Sequence, residues 1–270
     1  RKAHASELRV YRELQDLITP YAPAMLGEFS VGNWRAMLLE DLGPKTAPPW
    51  RTSDARSAAE GLAEFHHTTV GIDLPQWIPE SRYRGIISAR LWTPDLAEEK
   101  IENLSTVAGK YRGAARDWLT ENAPALNAAS ELLETSSGKT VLMHLDVRSD
   151  NLRVNSGKLR LFDWPHTTIG PPEFEVAAFA QSVESERGPD AESVMGWYTA
   201  KFAVDREILT SSVAAIAGYF ANQSWQPTIP GLPRLRAFQL AQFVASLRWA
   251  AARLGLEDPG WLDHVNTAHE

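Results

Sequence analysis

The stretch from residue 144 to residue 164, HLDVRSDNLRVNSGKLRLFDW, constrains this chain more than any other. A β-rich run, Thr140 to Leu142, leads into His144 and Asp146, and Asn151 stands five positions further on. Two short strands are predicted next, Leu152 to Val154 and Leu159 to Phe162, joined by an Asn-Ser-Gly turn. The second ends on Asp163-Trp164. A tight hairpin brings Asn151 and Asp163 together although twelve positions separate them.

These residue types suit the movement of a phosphoryl group. That chemistry takes a carboxylate near the acceptor hydroxyl, and Asp146 is placed for it. It also takes oxygen ligands for Mg²⁺ beside the nucleotide phosphates. Mg²⁺ is a hard cation that keeps to oxygen and usually takes one or two protein carboxylates. Asn151 offers a side-chain carbonyl and Asp163 a carboxylate, while Arg148 can set positive charge against the phosphate in transit. A lone H-x-D-x-x-x-x-N is a weak signal, because Asp and Asn are common in turns. The order of motif, hairpin and Asp-Trp carries the reading. His144 is expected to orient the loop rather than act as acid or base, and Asp150 to be a solvated turn residue.

H-x-D-x-x-x-x-N, a hairpin and an Asp at a strand end form the layout of a kinase catalytic loop with its metal aspartate. The chain here resembles the aminoglycoside phosphotransferase family, a branch of the kinase-like superfamily. The family pattern H-G-D-x-x-x-x-N followed by I-D-W is matched by HLDVRSDN and LFDW, with Leu145 in place of the usual Gly. Gly170-Pro-Pro-Glu-Phe-Glu-Val-Ala resembles the family's G-x-P-x-Y-D-L-A, with Glu175 where Asp is usual. The resemblance implies that Glu175 braces the catalytic loop. It implies catalytic roles for Asp146 and Arg148, and metal ligands at Asn151 and Asp163.

Composition sets wider bounds. The 270 residues can bury a large core, and 44% hydrophobic with 23% charged residues is ordinary for a globular protein. No apolar run approaches a membrane span and no secretory signal is visible, so no membrane partner and a cytoplasmic location are expected. The absence of Cys excludes disulfides, thiolate metal sites and cysteine catalysis. A net charge of −7 argues against nucleic-acid binding and is compatible with a cationic small substrate.

Along the chain, Ser6 to Ile18 is predicted helical, with Glu7, Val10, Tyr11, Leu14, Leu17 and Ile18 on one face. By resemblance, Glu7 is the helix glutamate that pairs a phosphate-binding lysine; Lys2 is the only lysine upstream, and that lysine is otherwise expected ahead of Arg1. The phosphate-covering loop is not read in this sequence, which leaves open a chain given without it or a protein that is not an active ATP-binding kinase. Leu26 to Val31 and Trp34 to Leu39 read as strands around Gly32-Asn33. The segment after them resembles the kinase hinge, where adenine would meet the backbone at Glu40, Asp41 and Leu42. Thr52 or Ser53 is expected to cap a helix running to His67, and His66-His67 to be helix-end residues. Residues 71 to 94 are expected to be irregular. Helices are predicted from Pro94-Asp95, over Tyr111 to Leu133, 172 to 186, Met195 to Phe202 and Arg206 to Asn222. A stripe of Leu240, Val244, Leu247, Ala251 and Leu254 ends at Gly255. Glu184, Glu186 and Asp190 are candidates for an acidic acceptor pocket, weighed against a solvated helix end.

The expected fold is α+β and protein-kinase-like with two lobes: a small N-lobe over residues 1–41, incomplete at its start, and a large, mainly helical C-lobe over 42–270. The expected function is ATP- or GTP-dependent, Mg²⁺-dependent phosphorylation of a hydroxyl on a small molecule. An aminoglycoside, another sugar-like antibiotic or a metabolite would fit, and antibiotic resistance is among the roles the resemblance implies. The alternatives are a catalytically inactive nucleotide-binding pseudokinase and a metal-dependent hydrolase using the same Asp residues.

Overall fold

Hairpins and helices form where the local sequence demands them, and they fall into two compact units, one over residues 1–82 and 139–203, the other over 83–138 and 204–270. The computed structural model describes residues 2–32, 34–80, 82–135 and 138–267, and only the backbone of residues 2–5. Asn33 of the first predicted turn and the side chain of Lys2 lie outside the described residues.

The first unit opens with α1 (Lys2–Glu13) and the short α2 (Gln15–Ile18). The predicted single helix is broken at Leu14, whose ψ of 14° leaves helical geometry. Val10, Tyr11, Leu14 and Ile18 are buried, as their spacing requires. Strands β1 (Met25–Val31) and β2 (Trp34–Leu39) pair antiparallel, Val31 with Trp34 and Phe29 with Ala36. Helix α3 (Thr52–Thr69) buries Ala55, Ala58, Ala59, Leu62, Ala63, Phe65, His66 and Thr69 on one face. Its N-cap is Arg51, with no side-chain cap bond, so the expected Thr52 or Ser53 cap does not form.

Strand β3 (Val141–Met143) is wholly buried and pairs antiparallel with β6 (Thr168–Gly170), Val141 opposite Gly170. Strands β4 (Leu152–Asn155) and β5 (Lys158–Leu161) form the predicted hairpin. Its central residues, Ser156 and Gly157, have φ of 50° and 74°. Two positive φ values in succession make the turn whose twist matches the flanking strands. Helix α3 crosses this hairpin closely: a Cβ on Gly61 would stand 2.6 Å from Cβ of Leu159. Helix α7 (Pro172–Ser185) starts on a Pro and is buried nearly all round. Helix α8 (Ala191–Thr199) is capped by Asp190, which accepts from the Ser193 amide.

The second unit is helical. Within the stretch expected to be irregular lies α4 (Arg82–Ser88), too short to show an amphipathic period. Helices α5 (Glu98–Ser105), α6 (Arg112–Thr135), α9 (Arg206–Ser224) and α10 (Leu235–Leu254) follow. The Trp92 indole donates to the Ala214 carbonyl at 3.0 Å and leans on α9 at Gly218, where a Cβ would stand 2.7 Å from the ring. Helix α10 ends at Gly255 in the left-handed conformation, φ 65°, as its sequence signals. Its buried face is wider than the predicted stripe: Leu247 and Ala251 are buried with Gln242, Phe243, Ser246 and Ala250, whereas Leu240, Val244 and Leu254 are half-buried. No described helix is long and apolar enough to cross a membrane.

Candidate active site

The buried strand β3 delivers the chain to His144, and the backbone then turns sharply. Leu145 has φ 68°, the left-handed region that a side chain disfavours by about 1–2 kcal/mol. A Gly would meet no such cost, which accounts physically for the residue usual at this position in the resembled pattern. Here the turn is secured by Glu175 of α7, whose Oε1 accepts the Leu145 amide at 2.5 Å.

His144 is fully buried and sits edge-on to Trp164, with ring centroids 4.5 Å apart. Its Nε2 donates to the Phe162 carbonyl at 2.9 Å, and its Nδ1 accepts the Asp146 amide at 3.3 Å. One ring therefore ties the backbone at Asp146 to that beside Asp163. Burial holds the imidazole below its usual range, against the opposing pull of the Glu175 and Asp146 carboxylates. A neutral ring with its proton on Nε2 satisfies both bonds. The orienting role expected for His144 has a geometric basis here.

A single 3₁₀ turn at Ser149–Asn151 brings Asn151 back to Asp146. The Asn151 side-chain amide donates to Asp146 Oδ2 at 2.7 Å and to the Asp146 backbone carbonyl at 2.9 Å. Its backbone carbonyl accepts the Phe162 amide at 3.0 Å. Arg148 Nε lies 3.1 Å from the second oxygen of Asp146, and its Nη1 lies 3.3 Å from Asp150. Asp150 also accepts from Lys45 at 2.7 Å, and that bond keeps its carboxyl below the usual range. The expected solvated turn residue thus joins two cations, and Lys45 is a site neighbour that sequence reasoning passed over.

Asp163 follows Phe162 with φ 66°, its side chain exposed. Its carboxylate is in no hydrogen bond or ion pair among the described residues, and the Asn151 side-chain carbonyl likewise accepts none. Two hard oxygen donors thus remain open beside the Asn151–Phe162 backbone bond. Among the described residues no three His, Cys, Asp or Glu gather as a metal cage. The donor set fits Mg²⁺, which takes few protein ligands and completes its shell with phosphate and water. Glu7 is placed at the same point: its Oε1 accepts the Trp164 amide at 3.3 Å. Burial, then the Glu7 and Asp163 charges, push the neighbouring Tyr11 phenol up.

The remaining predicted residues have other surroundings. Glu40 accepts from Arg160 at 2.7 Å and from the Ala24 amide at 3.1 Å. Asp41 accepts the Gly43 amide at 2.8 Å, and the Leu42 carbonyl accepts from Asn155 at 2.8 Å. Glu186 accepts from Ser149 of the catalytic loop at 2.7 Å and from the Trp50 indole at 2.8 Å. Glu184 accepts the Ala191 amide, and Asp190 caps the same helix start. Glu186 is thereby bonded to the loop that carries Asp146 and Asn151.

His66 lies in the last turn of α3, as expected, but is also fully buried, bonded at 2.7 Å to Glu175 Oε2 and at 2.6 Å to the Tyr198 hydroxyl. A signal was present, because His66 follows Leu62 by one helical turn and continues the apolar face of α3.

A family model described as a phosphotransferase enzyme family matches residues 2–208. No curated protein matches the chain. Among solved structures, a choline/ethanolamine kinase family protein from Mesorhizobium loti has a TM-score of 0.57 at 14% identity, covering 98% of this chain and 84% of its own. An aminoglycoside phosphotransferase from Alicyclobacillus acidocaldarius has a TM-score of 0.57 at 16% identity, covering 98% and 77%. An amicoumacin kinase solved in complex with AMP-PNP, Ca²⁺ and Ami has a TM-score of 0.50 at 13% identity, covering 90% and 77%. Likeness at such identities speaks to fold, and the fold is α+β of the kinase-like two-lobe class.

Proposed function

The chain belongs to the phosphotransferase enzyme family, and on that premise we propose that it moves the terminal phosphoryl group of ATP or GTP to a hydroxyl of a small molecule. The observation that carries this reading is the meeting of Asp146, Asn151 and Arg148 on one loop, with the Asp163 carboxylate, which has no partner among the described residues, held beside it through Phe162. In this reading Asp146 orients the acceptor hydroxyl and takes its proton as the new O–P bond forms, while the bond to the leaving nucleoside diphosphate breaks. Arg148 leaves Asp146 and Asp150 to meet negative charge on the group in transit. Asn151 and Asp163 would hold Mg²⁺, which there would neutralise phosphate charge. The small first lobe is assigned to residues 1–41, with Glu7 supporting the Asp163-Trp164 backbone, and the nucleotide base to the segment Glu40, Asp41 and Leu42. The inactive pseudokinase alternative gains no support from a site in which Asp146, Asn151 and Asp163 are all present.

For the acceptor we propose a hydroxylated compound carrying positive charge. A net charge of −7 and the anchoring of Glu186 on the catalytic loop support this class. Thermal-shift measurements with ATP and GTP, with and without Mg²⁺, followed by a panel of aminoglycosides, amino alcohols and neutral sugars, test both halves of the reading. A metal-dependent nucleotide shift and ADP or GDP release with a cationic acceptor are expected. Turnover confined to neutral sugars would remove the cationic assignment, and no nucleotide shift would remove the whole. Glu186→Gln is expected to raise KM for the cationic acceptor several-fold at near-constant kcat; an unchanged KM withdraws Glu186 from acceptor binding.

A further inference from the structure

One buried chain of hydrogen bonds reaches the catalytic loop from the side opposite to solvent. Tyr198 of α8, His66 of α3 and Glu175 of α7 are each almost wholly buried, at 0%, 0% and 1% exposure. Their order is Tyr198 hydroxyl to His66 Nδ1 at 2.6 Å, His66 Nε2 to Glu175 Oε2 at 2.7 Å, and Leu145 amide to Glu175 Oε1 at 2.5 Å. The direction of each bond follows from chemistry. The Leu145 amide can only donate, so Glu175 accepts there. An ionised carboxylate accepts at its other oxygen as well, so His66 Nε2 donates. A neutral imidazole then has Nδ1 as acceptor, and the Tyr198 hydroxyl donates to it.

This chain ends on the residue beside Asp146. Leu145 stands in the left-handed region at φ 68°, a conformation that a Leu leaves unless its surroundings hold it. The bond from its amide to Glu175 is such a hold, and a carboxylate keeps its aim only if its second oxygen is fixed too. His66 supplies that fixation, and its ring is itself edged by Tyr198 and Phe202, with centroids 5.7 and 6.2 Å away. His144 secures the next amide, at Asp146. Among the described residues, the hydrogen bonds of the His66 ring run to Tyr198 and Glu175, so its link to the loop passes through Glu175.

We infer that His66, locked in its donor state by Tyr198, is a positioning residue of the phosphoryl-transfer site: it aims Glu175 at the Leu145 amide and thereby sets the direction of Asp146. The inference rests on the phosphotransferase reading for its kinetic consequence, and on geometry alone for its effect on the loop.

The test compares wild type with His66→Phe, which keeps a planar ring without either nitrogen; His66→Gln, which keeps a donor for Glu175; and Tyr198→Phe, which removes one hydroxyl. Two quantities are read: hydrogen exchange at the Leu145 amide, and kcat and KM for Mg²⁺-ATP with water as the acceptor. His66→Phe is expected to speed exchange at Leu145 and lower kcat about 10- to 100-fold, the range usual for outer supporting partners, with KM for ATP within about twofold. His66→Gln is expected to recover most of both losses, and Tyr198→Phe to fall between. Equal losses in His66→Phe and His66→Gln would show that packing alone matters and overturn the inference. So would wild-type exchange at Leu145 in His66→Phe. If His66→Phe does not fold, Tyr198→Phe decides: faster exchange at Leu145 sustains the inference, and wild-type exchange ends it. If wild type releases no ADP, the phosphotransferase reading fails separately, and the exchange measurement still decides the positioning role.

Discussion

The Asp146 carboxylate is flanked by the Asn151 amide at 2.7 Å and the Arg148 guanidinium at 3.1 Å, and its side chain is 34% exposed. Its removal should therefore leave the fold intact while taking away the group proposed to receive the acceptor's proton. Asp146→Ala is expected to lower kcat by about 100- to 10,000-fold, with an unchanged melting temperature, in a coupled ADP assay. Near-normal turnover would withdraw its role. His144, two residues earlier, governs stability instead. Its folded pKa lies below the ordinary 6.5, because burial disfavours the charged ring. The unfolded chain therefore binds the proton first as pH falls. The contribution of His144 is intact above about pH 6.5 and is lost as pH drops from there through the folded value, by up to about 1.4 kcal/mol per pH unit. Urea midpoints measured between pH 7.5 and 5 should show this decline in wild type and a shallower one in His144→Asn; parallel curves would contradict it.

At the scale of elements, the catalytic hairpin depends on α3. Gly61 permits the approach of that helix to β5, where a Cβ would stand 2.6 Å from Leu159 Cβ. Gly61→Ala gains helix propensity but forces the two elements apart, at a cost of about 1–3 kcal/mol from overpacking. A chemical-denaturation midpoint at or above the wild-type value would refute the close-contact argument. The hairpin itself was legible in sequence because everything that makes it is local: alternating strands, an Asn-Ser-Gly turn and an Asp at the end. Helix α10 was legible for the same reason, down to its left-handed Gly255. Helix α4 was not, since seven residues are too few to display a period. The break at Leu14 and the uncapped start of α3 at Arg51 also carry no clear local mark.

For the whole molecule, the boundary between what sequence reveals and what it hides is set by chain separation. Asp146, Arg148, Asn151 and Asp163 lie within one short segment, so their meeting could be argued from spacing. The bonds from His66 to Glu175 and to Tyr198 span 109 and 132 positions, and only the folded chain joins them. Glu7 and the Trp164 amide are 157 positions apart; the family resemblance pointed Glu7 at a lysine, and its bond to Trp164 is visible only in the folded chain. The family match over residues 2–208 and the kinase-like fold agree with the local motif. The proposal they support is a site where two protein oxygens and a nucleotide would share one metal ion. Calorimetric titration of ATP in Mg²⁺ and again after chelation, on wild type and Asp163→Asn, tests this most directly. The account predicts tighter binding with metal in wild type and loss of most of that difference in Asp163→Asn; equal affinities with and without Mg²⁺, or an undiminished difference in the variant, would contradict it.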